Sequence, residues 1–140
     1  VCSKGFAETV TGMKFDYSNP SILVAIYNKL QDKYPNSNIV ITLEEKGCLY
    51  QVGNEIKIMP GLKVNAVDTT GAGDIFHGAF TYGIANNFDM EKTITLANIA
   101  AGLSVTKIGS RLSIPTLSEV LDYYAKKTGM VNNNDNKQNS

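Results

Sequence analysis

The chain has 140 residues, 43% of them apolar and 19% charged, which is typical of a single globular domain and excludes a disordered, collagen-like or coiled-coil chain. Thirteen basic and thirteen acidic residues give zero net charge, so bulk electrostatics predict no binding to nucleic acid or to an anionic membrane. Two cysteines and the lack of any apolar run near ~20 residues predict a cytoplasmic protein without a disulfide framework or a membrane span. The first residue is Val1 rather than Met, which indicates a piece of a longer chain.

The first half of the chain predicts two helices, one buried strand and a hairpin. Apolar residues at helical spacing, bounded by glycine and proline, predict helices over residues 4–10 and 20–34. The β-branched run at 39–43 predicts a strand covered on both faces, as in parallel sheets. Residues 48–52 and 55–59 flank a Gly-Asn pair and predict a β-hairpin.

The second half predicts a short strand at 64–67 and three helices. One helix follows a glycine-rich turn and carries an apolar stripe from Ile75 onward, and the others cover 91–105 and 116–126, the last with a Thr-x-x-Glu capping box. From residue 128 the composition becomes Asn-rich and polar, which predicts a disordered tail at 128–140. The alternation of short apolar runs with helices predicts a three-layer α/β/α fold with a mostly parallel sheet that includes both 39–43 and 64–67.

The glycine-rich turn at residues 68–74 is the candidate functional segment. It joins a predicted strand to a predicted helix, and the unpaired N–H groups of a first helical turn attract anions. Gly71 and Gly73 have no Cβ atom, so the backbone can approach a phosphate closely. Asp74 follows in the first turn, where a carboxylate beside a phosphate seat suits proton acceptance from a hydroxyl during phosphoryl transfer.

Simpler interpretations of the same turn stay open. The residue after the second glycine is acidic, which excludes a Walker A loop, and Phe76 occupies the third glycine position of the dinucleotide fingerprint. A plain strand-to-helix turn also explains the pattern, with Asp74 favoured by the helix dipole by ~0.3 to 1 kcal/mol. On the same physical grounds Asp68 and Thr70 are ordinary turn and cap residues.

Residues 68–80, Asp-Thr-Thr-Gly-Ala-Gly-Asp-Ile-Phe-His-Gly-Ala-Phe, resemble the C-terminal signature of the ribokinase-like (pfkB-type) carbohydrate kinases. The resemblance extends to residues 41–47, to the helix through Asn98 and to residues 109–115, at the spacing typical of the family. It implies a ribokinase-like fold of which this chain is the C-terminal portion. Residues 1–127 would be the nucleotide-binding and catalytic part, and 128–140 the disordered tail.

The resemblance also implies an activity, namely ATP-dependent phosphoryl transfer to a hydroxyl of a sugar or related small molecule. Asp74 would be the catalytic base, and the backbone N–H groups of Gly71, Ala72 and Gly73 would form an anion hole. The expected cofactors are ATP, Mg²⁺ and a monovalent cation such as K⁺. The implied nucleotide-binding residues are Thr42, Leu43, Glu44, Glu45, Lys46, Gly47, Gly73 and Asn98. The implied cation-binding residues are Asp68, Thr70, Ser104, Lys107, Gly109 and Ser113.

Two positions depart from the family pattern. Glu44 stands where the family usually has the glycine of Thr-Leu-Gly, and its carboxylate would repel phosphates unless it points away. Ser3 and Phe6 stand where the family has an Asn and, three residues later, a Glu that together organise magnesium and phosphates. The family's N-terminal half, which holds most sugar contacts, lies outside the chain, so the sequence leaves the substrate open.

Two functional hypotheses remain from the sequence. The first is the catalytic half of a sugar kinase, whose partners are a sugar and ATP, with neither nucleic acid nor membrane, and with a homodimer left open for the full-length enzyme. The second is a non-catalytic remnant that binds nucleotide or another protein. The intact Asp74 favours the first hypothesis, whereas the missing half favours the second.

Overall fold

The computed structural model describes residues 1–109 and 111–129, which form two compact units, Val1–Lys63 and the described residues from Val64 onward. Within these described residues, no helix has both the length and the apolar character needed to cross a membrane. The predicted disordered tail falls almost entirely outside the described part of the chain.

The first unit contains a four-stranded sheet in the order β1-β2-β3-β4, and its strands are Cys2–Ser3, Val40–Thr42, Cys48–Val52 and Glu55–Met59. Only β1 and β2 are parallel; β2–β3 and β3–β4 are antiparallel. The sheet is therefore mixed, and the expectation of a mostly parallel sheet is corrected. The reason is connection length, because the segment at 43–47 and the two-residue turn after β3 are too short for a crossover.

The predicted hairpin is confirmed. Strands β3 and β4 pair from Cys48 opposite Met59 to Val52 opposite Glu55. Gly53 in the connecting turn has φ 58°, the left-handed conformation that such turns require. A single turn of 3-10 helix, Glu44–Lys46, joins β2 to β3.

Both predicted helices of the first unit are confirmed as α1, Lys4–Thr11, and α2, Pro20–Lys33. Side chains of Ser3 and Asn19 cap their first turns, and Gly12 ends α1 at φ 68°. The helices pack on the sheet through one buried cluster, in which the Tyr27 hydroxyl donates to the Ile39 carbonyl at 3.0 Å. Its buried members are Ala7, Leu23, Ile26, Tyr27, Leu30, Ile39, Ile41, Leu43 and Leu49.

The described residues of the second unit contain three helices, α3 at Ala72–Ala85, α4 at Met90–Ser104 and α5 at Leu117–Thr128. Helix α4 is buried along most of its length and packs on both α3 and α5. The predicted capping box of α5 is confirmed, since Thr116 Oγ1 accepts the Glu119 N–H and Glu119 accepts the Thr116 N–H. Helix α5 extends two residues past the predicted end and is closed by Gly129 at φ 73°.

Residues 64–67 are not a strand, so the expectation that they share a sheet with 39–43 is wrong. The N–H groups of Val67 and Asp68 both donate to the carbonyl of Val105, at 2.7 and 3.2 Å. Two N–H groups that share one carbonyl do not form a β-ladder, because a β-ladder consists of successive hydrogen bonds to different residues of a partner strand. This segment is held instead by the C-terminal end of α4.

Candidate active site

The glycine-rich turn has the geometry of a helix start. Gly71 is the N-cap of α3 and has φ 78°, a left-handed conformation that favours glycine. The Ala72 N–H donates to the Thr69 carbonyl at 3.3 Å, and the Ile75 N–H donates to the Gly71 carbonyl at 3.0 Å. The turn thus closes into α3 within three residues, and it presents the early N–H groups of the helix at one end.

Asp74 lies in the first turn of α3 and is exposed. Gly73 is also exposed, and a Cβ built on it would meet no atom within 4 Å. Open space therefore surrounds the backbone next to the Asp74 carboxylate. A helix N-terminus with this space can accept an anion, while the carboxylate beside it can accept a proton.

Asp68 ties this turn to the loop after α4. Its Oδ1 accepts the Thr70 N–H at 2.9 Å, and its Oδ2 accepts the Gly109 N–H at 3.2 Å. Hydrogen bonds hold the pKa of the Asp68 carboxyl below its ordinary value. The bond from the Thr70 backbone has the largest effect, and the bonds from the Thr70 side chain and the Gly109 backbone have smaller ones. Asp68 therefore bonds within its own turn and also links this turn to the loop after α4.

The other predicted cation-binding residues lie in or next to the same loop. The Ser113 N–H donates to the Gly109 carbonyl at 3.0 Å, and the Lys107 N–H to the Ser104 carbonyl at 3.5 Å. Both serines are buried, whereas Lys107 is exposed. A carbonyl oxygen has two lone pairs, so each of these acceptors can still take a further ligand.

The predicted nucleotide segment, residues 42–47, belongs to the first unit. Leu43 is buried, and the Leu43 N–H donates to the Gly47 carbonyl at 2.8 Å, which closes the loop. Gly47 has φ 95°, and a Cβ there would overlap the carbonyl oxygen of Met59, so only glycine fits. Glu44, Glu45 and Lys46 are exposed on the outer side of the turn.

Glu44 adopts φ 57°, a left-handed conformation that few residues other than glycine occupy. The backbone therefore keeps the shape that a glycine would take, although the residue is glutamate. Thr42 is half-buried, and its hydroxyl donates to the Cys2 carbonyl at 3.4 Å.

Asn98 and His77 belong to the helices of the second unit. Asn98 lies in the middle of α4 and is only 6% exposed. His77 is exposed on α3 with its Nδ1 2.8 Å from the Gly73 carbonyl, so it is less packed than a typical core histidine.

A cavity beside Asp74 was not predicted from the sequence. It has a volume of about 410 Å³ and is lined mainly by apolar side chains of α3, α4 and α5. On α3 the lining residues after Asp74 include Gly78, Ala79 and Tyr82, at the spacing of one helical face. The spacing of these α3 residues is visible in the sequence and could have indicated one wall of the cavity. The residues from α4 and α5 are brought there only by tertiary packing.

The fold and the turn define an α/β protein with an exposed carboxylate, Asp74, in the first turn of a helix that starts at a glycine, and comparison with known proteins specifies the family. Residues 7–117 match the pfkB family carbohydrate kinase. A ribokinase of Lactococcus lactis subsp. lactis (strain IL1403) is 41% identical over 88 residues, or 63% of this chain. A deoxyribokinase of Salmonella typhi is 36% identical over 116 residues, or 83% of this chain. The chain belongs to the pfkB family of carbohydrate kinases.

The solved ribokinase of Arabidopsis thaliana, complexed with ribose and ATP, superposes on 86% of this chain with a TM-score of 0.70 and 23% identity. This likeness confirms the predicted ribokinase-like fold. The chain spans 29% of the length of the Lactococcus ribokinase, 37% of the deoxyribokinase and 38% of the Arabidopsis chain. It therefore corresponds to less than half of each of these proteins.

Proposed function

We propose that this chain forms the part of an ATP-dependent carbohydrate kinase that carries the catalytic base, Asp74, and the anion hole at Gly71, Ala72 and Gly73. The observation that carries the proposal is the left-handed Gly71, which starts α3 so that Asp74 is exposed in its first turn. Membership of a family of carbohydrate kinases supports the reaction class.

The proposed reaction moves one proton and one phosphoryl group. The Asp74 carboxylate accepts the proton of a sugar hydroxyl, whose oxygen forms a bond to the terminal phosphorus of ATP. The bond between that phosphorus and the bridging oxygen breaks, and ADP leaves with the electron pair. The N–H groups at the start of α3 stabilise the negative charge that develops on the transferred group.

In this proposal Mg²⁺ binds together with the nucleotide, through its phosphates. Within residues 1–109 and 111–129, no group of three or more acidic, histidine or cysteine side chains could hold a metal. Mg²⁺ commonly uses one or two carboxylates together with substrate phosphates, so the absence of such a group in the described part of the chain is compatible with it. When bound, Mg²⁺ would neutralise phosphate charge.

A monovalent cation such as K⁺ is proposed at Asp68, Thr70, Ser104, Lys107, Gly109 and Ser113. The hydrogen bonds from Thr70 and Gly109 to the Asp68 carboxylate support the proposal, because they join the two loops that supply these residues. The chain would contribute one carboxylate and several backbone carbonyls, which are the hard oxygen ligands that such cations accept.

The nucleotide is proposed to contact residues 42–47, Gly73 and Asn98. The closed loop around Gly47 supports the first contact, since it holds the turn in one shape. The nucleotide in the Arabidopsis complex shows that this fold accepts ATP in that protein.

The test is a chimera in which this chain replaces the 116-residue stretch that it matches in the Salmonella deoxyribokinase. Asp74→Asn should lower its kcat by at least ~100-fold, the usual loss for a general base, with little change in ATP affinity. Asp122→Asn removes another exposed carboxylate, on α5, and should leave kcat unchanged. Steady-state kinetics that show near-parental turnover for Asp74→Asn would remove Asp74 from this role and leave residues 68–74 as a plain turn at the start of α3.

A further inference from the structure

Two stretches of backbone touch in the first unit, just past the end of the hairpin. Strand β4 ends at Met59, and the chain then runs alongside residues 45–47, which precede β3. A Cβ built on Gly61 would overlap the carbonyl oxygen of Glu45 and lie 3.3 Å from the Gly47 nitrogen. The contact is mutual, because a Cβ on Gly47 would lie 2.6 Å from the Gly61 nitrogen. Two glycines therefore let these backbones meet without a side chain between them.

Glycine at position 61 is required by this contact and not by its own backbone conformation. Gly61 is not one of the glycines with a positive φ, so other residues can adopt its conformation. The nearest obstacle to a Cβ is the backbone of Glu45, which cannot rotate away as the end of a side chain can. Gly53 in the same hairpin is the opposite case, since its φ is 58° and a Cβ there would meet no atom within 4 Å. A larger residue at position 61 must therefore displace Glu45.

The loop that Gly61 contacts, residues 42–47, has a shape that a free chain would rarely adopt. Glu44 and Gly47 both have left-handed backbones, with φ 57° and 95°, and such a conformation is costly for glutamate. The side chains at 44–46 are exposed and cannot anchor the loop in the protein interior. A loop that becomes ordered only when it meets a ligand loses affinity through that ordering. The backbone at 59–61 orders residues 45–47 before any ligand arrives.

We propose that Gly61 is a positioning residue for ATP binding, because the absence of a side chain there lets the backbone at 59–61 hold residues 45–47 in the shape that contacts the nucleotide. This inference rests on the proposed function and adds to it a residue outside the nucleotide-binding set that the sequence indicated. Gly61 acts through Glu45 and Gly47. Its replacement should therefore change the affinity for ATP and leave the proton transfer at Asp74 unchanged.

The experiment compares Gly61→Ala with Gly53→Ala, a matched control at the other end of the same hairpin. In calorimetric titration of the whole 140-residue chain, Gly61→Ala should lower the association constant for ATP by about tenfold, the usual loss of one hydrogen bond to a charged group. Gly53→Ala forces an alanine into a left-handed turn but should change that constant by less than about twofold, since the site is remote from the loop. In the deoxyribokinase chimera, Gly61→Ala should raise the KM for ATP and leave kcat within about twofold of the parent.

A second measurement uses the unchanged protein, because both substitutions also destabilise the hairpin. Urea unfolding first verifies that each variant is folded at the temperature of the titration. In the parent protein, the backbone amide NMR signals of Glu45, Gly47 and Gly61 should then move together when ATP is added. The signal of Gly53 should not move, because the turn of the hairpin does not contact the loop.

The outcomes separate this inference from the proposed function. A folded Gly61→Ala variant with the parental affinity for ATP would overturn the inference, and an active chimera would still support the kinase. ATP affinity that depends on Gly61, in a chimera whose turnover survives Asp74→Asn, would support the inference and count against the proposed base. A parent chain that binds no ATP, or Gly61 and loop signals that stay in place when ATP binds, also overturns the inference.

Discussion

Glu44 combines a backbone that suits glycine with a side chain that carries a negative charge. Its φ of 57° costs a residue with a Cβ about 1 kcal/mol or more relative to glycine. Glycine in turn gives the unfolded chain more freedom, which offsets part of that gain. The net effect of removing Glu44 on folding is therefore small, so any effect on nucleotide binding is measurable by itself.

Glu44→Gly is expected to tighten ATP binding to the 140-residue chain by roughly threefold if the carboxylate faces the phosphates, because one like charge at a solvated site is removed. Glu44→Gln separates charge from backbone shape and should give most of the same gain. Calorimetric titration of the three proteins measures this. Equal affinities would show that Glu44 points into solvent.

Helix α3 holds two glycines whose surroundings are opposite. A Cβ built on Gly83 would lie 2.6 Å from Thr93 Cγ2 and 2.7 Å from Thr93 Oγ1, so the packing of α3 on α4 requires glycine there. A Cβ on Gly78 would meet no atom within 4 Å, and Gly78 is exposed. The sequence alone assigns both glycines the same role, close backbone packing.

Gly83→Ala should therefore destabilise the chain by about 1 to 3 kcal/mol, the usual cost of overpacking. Gly78→Ala should stabilise it by up to about 1 kcal/mol, since alanine is the better helix former and finds free space. Urea unfolding of the two variants measures both free energies of unfolding. Stabilisation by Gly83→Ala would mean that Thr93 can move aside, and Thr93→Ala in the same background then should add nothing.

Features that depend on neighbouring residues were predicted from the sequence, whereas features that depend on distant partners were not. The Thr116 capping box, the Gly12 C-cap and the turn at Gly53 are each determined within a few residues, and all are confirmed. The run at 39–43 correctly predicted a buried strand, but its sequence contains no information on the direction of its two neighbours. Residues 64–67 have strand composition, yet the Val67 N–H donates to the carbonyl of Val105 at the end of α4 and not to a strand.

The candidate site follows the same division. Gly71 and Asp74 were predicted to start a helix at an anion seat, and the start of α3 lies there as the local pattern requires. The tie from Asp68 to Gly109 joins residues 41 positions apart, and only the family resemblance indicated that these loops meet.

The stability of the whole chain should depend on pH through Cys48. Burial raises the pKa of the Cys48 thiol from near 9.0 to about 12, because the folded state disfavours the thiolate. The unfolded chain loses its proton first as pH rises, so stability is intact below about pH 9 and falls progressively between about pH 9 and 12. Cys48→Ala removes this dependence.

The measurement is urea unfolding of both proteins at pH 8 and pH 11. Tyrosine and lysine titration affects both proteins alike, so the comparison isolates the thiol. The free energy of unfolding of the parent should fall relative to that of Cys48→Ala as pH rises. A constant difference between the two would mean that the folded protein admits water to Cys48.

The 140-residue chain by itself should phosphorylate no sugar, although it holds the proposed base. Asp74 can act only when a hydroxyl is within ~2.6 to 3.2 Å and in line with the phosphoryl group. The chain spans only 29% and 37% of the two kinases that it matches in sequence, and the family resemblance places most sugar contacts in the remainder. Without them the sugar is met at its solution concentration, and the advantage of ~10⁵ M or more for oriented partners is lost.

The expected residual reaction is slow hydrolysis of ATP, in which water replaces the sugar. Apolar side chains such as Ile108 and Leu112, 75% and 83% exposed, also favour association of the chain with itself. A panel of sugars with radiolabelled ATP tests the chain against the deoxyribokinase chimera as the positive control. Sugar phosphate formed by the chain alone would mean that these residues hold the acceptor themselves, and the apolar cavity of about 410 Å³ beside Asp74 would be the first place to map it.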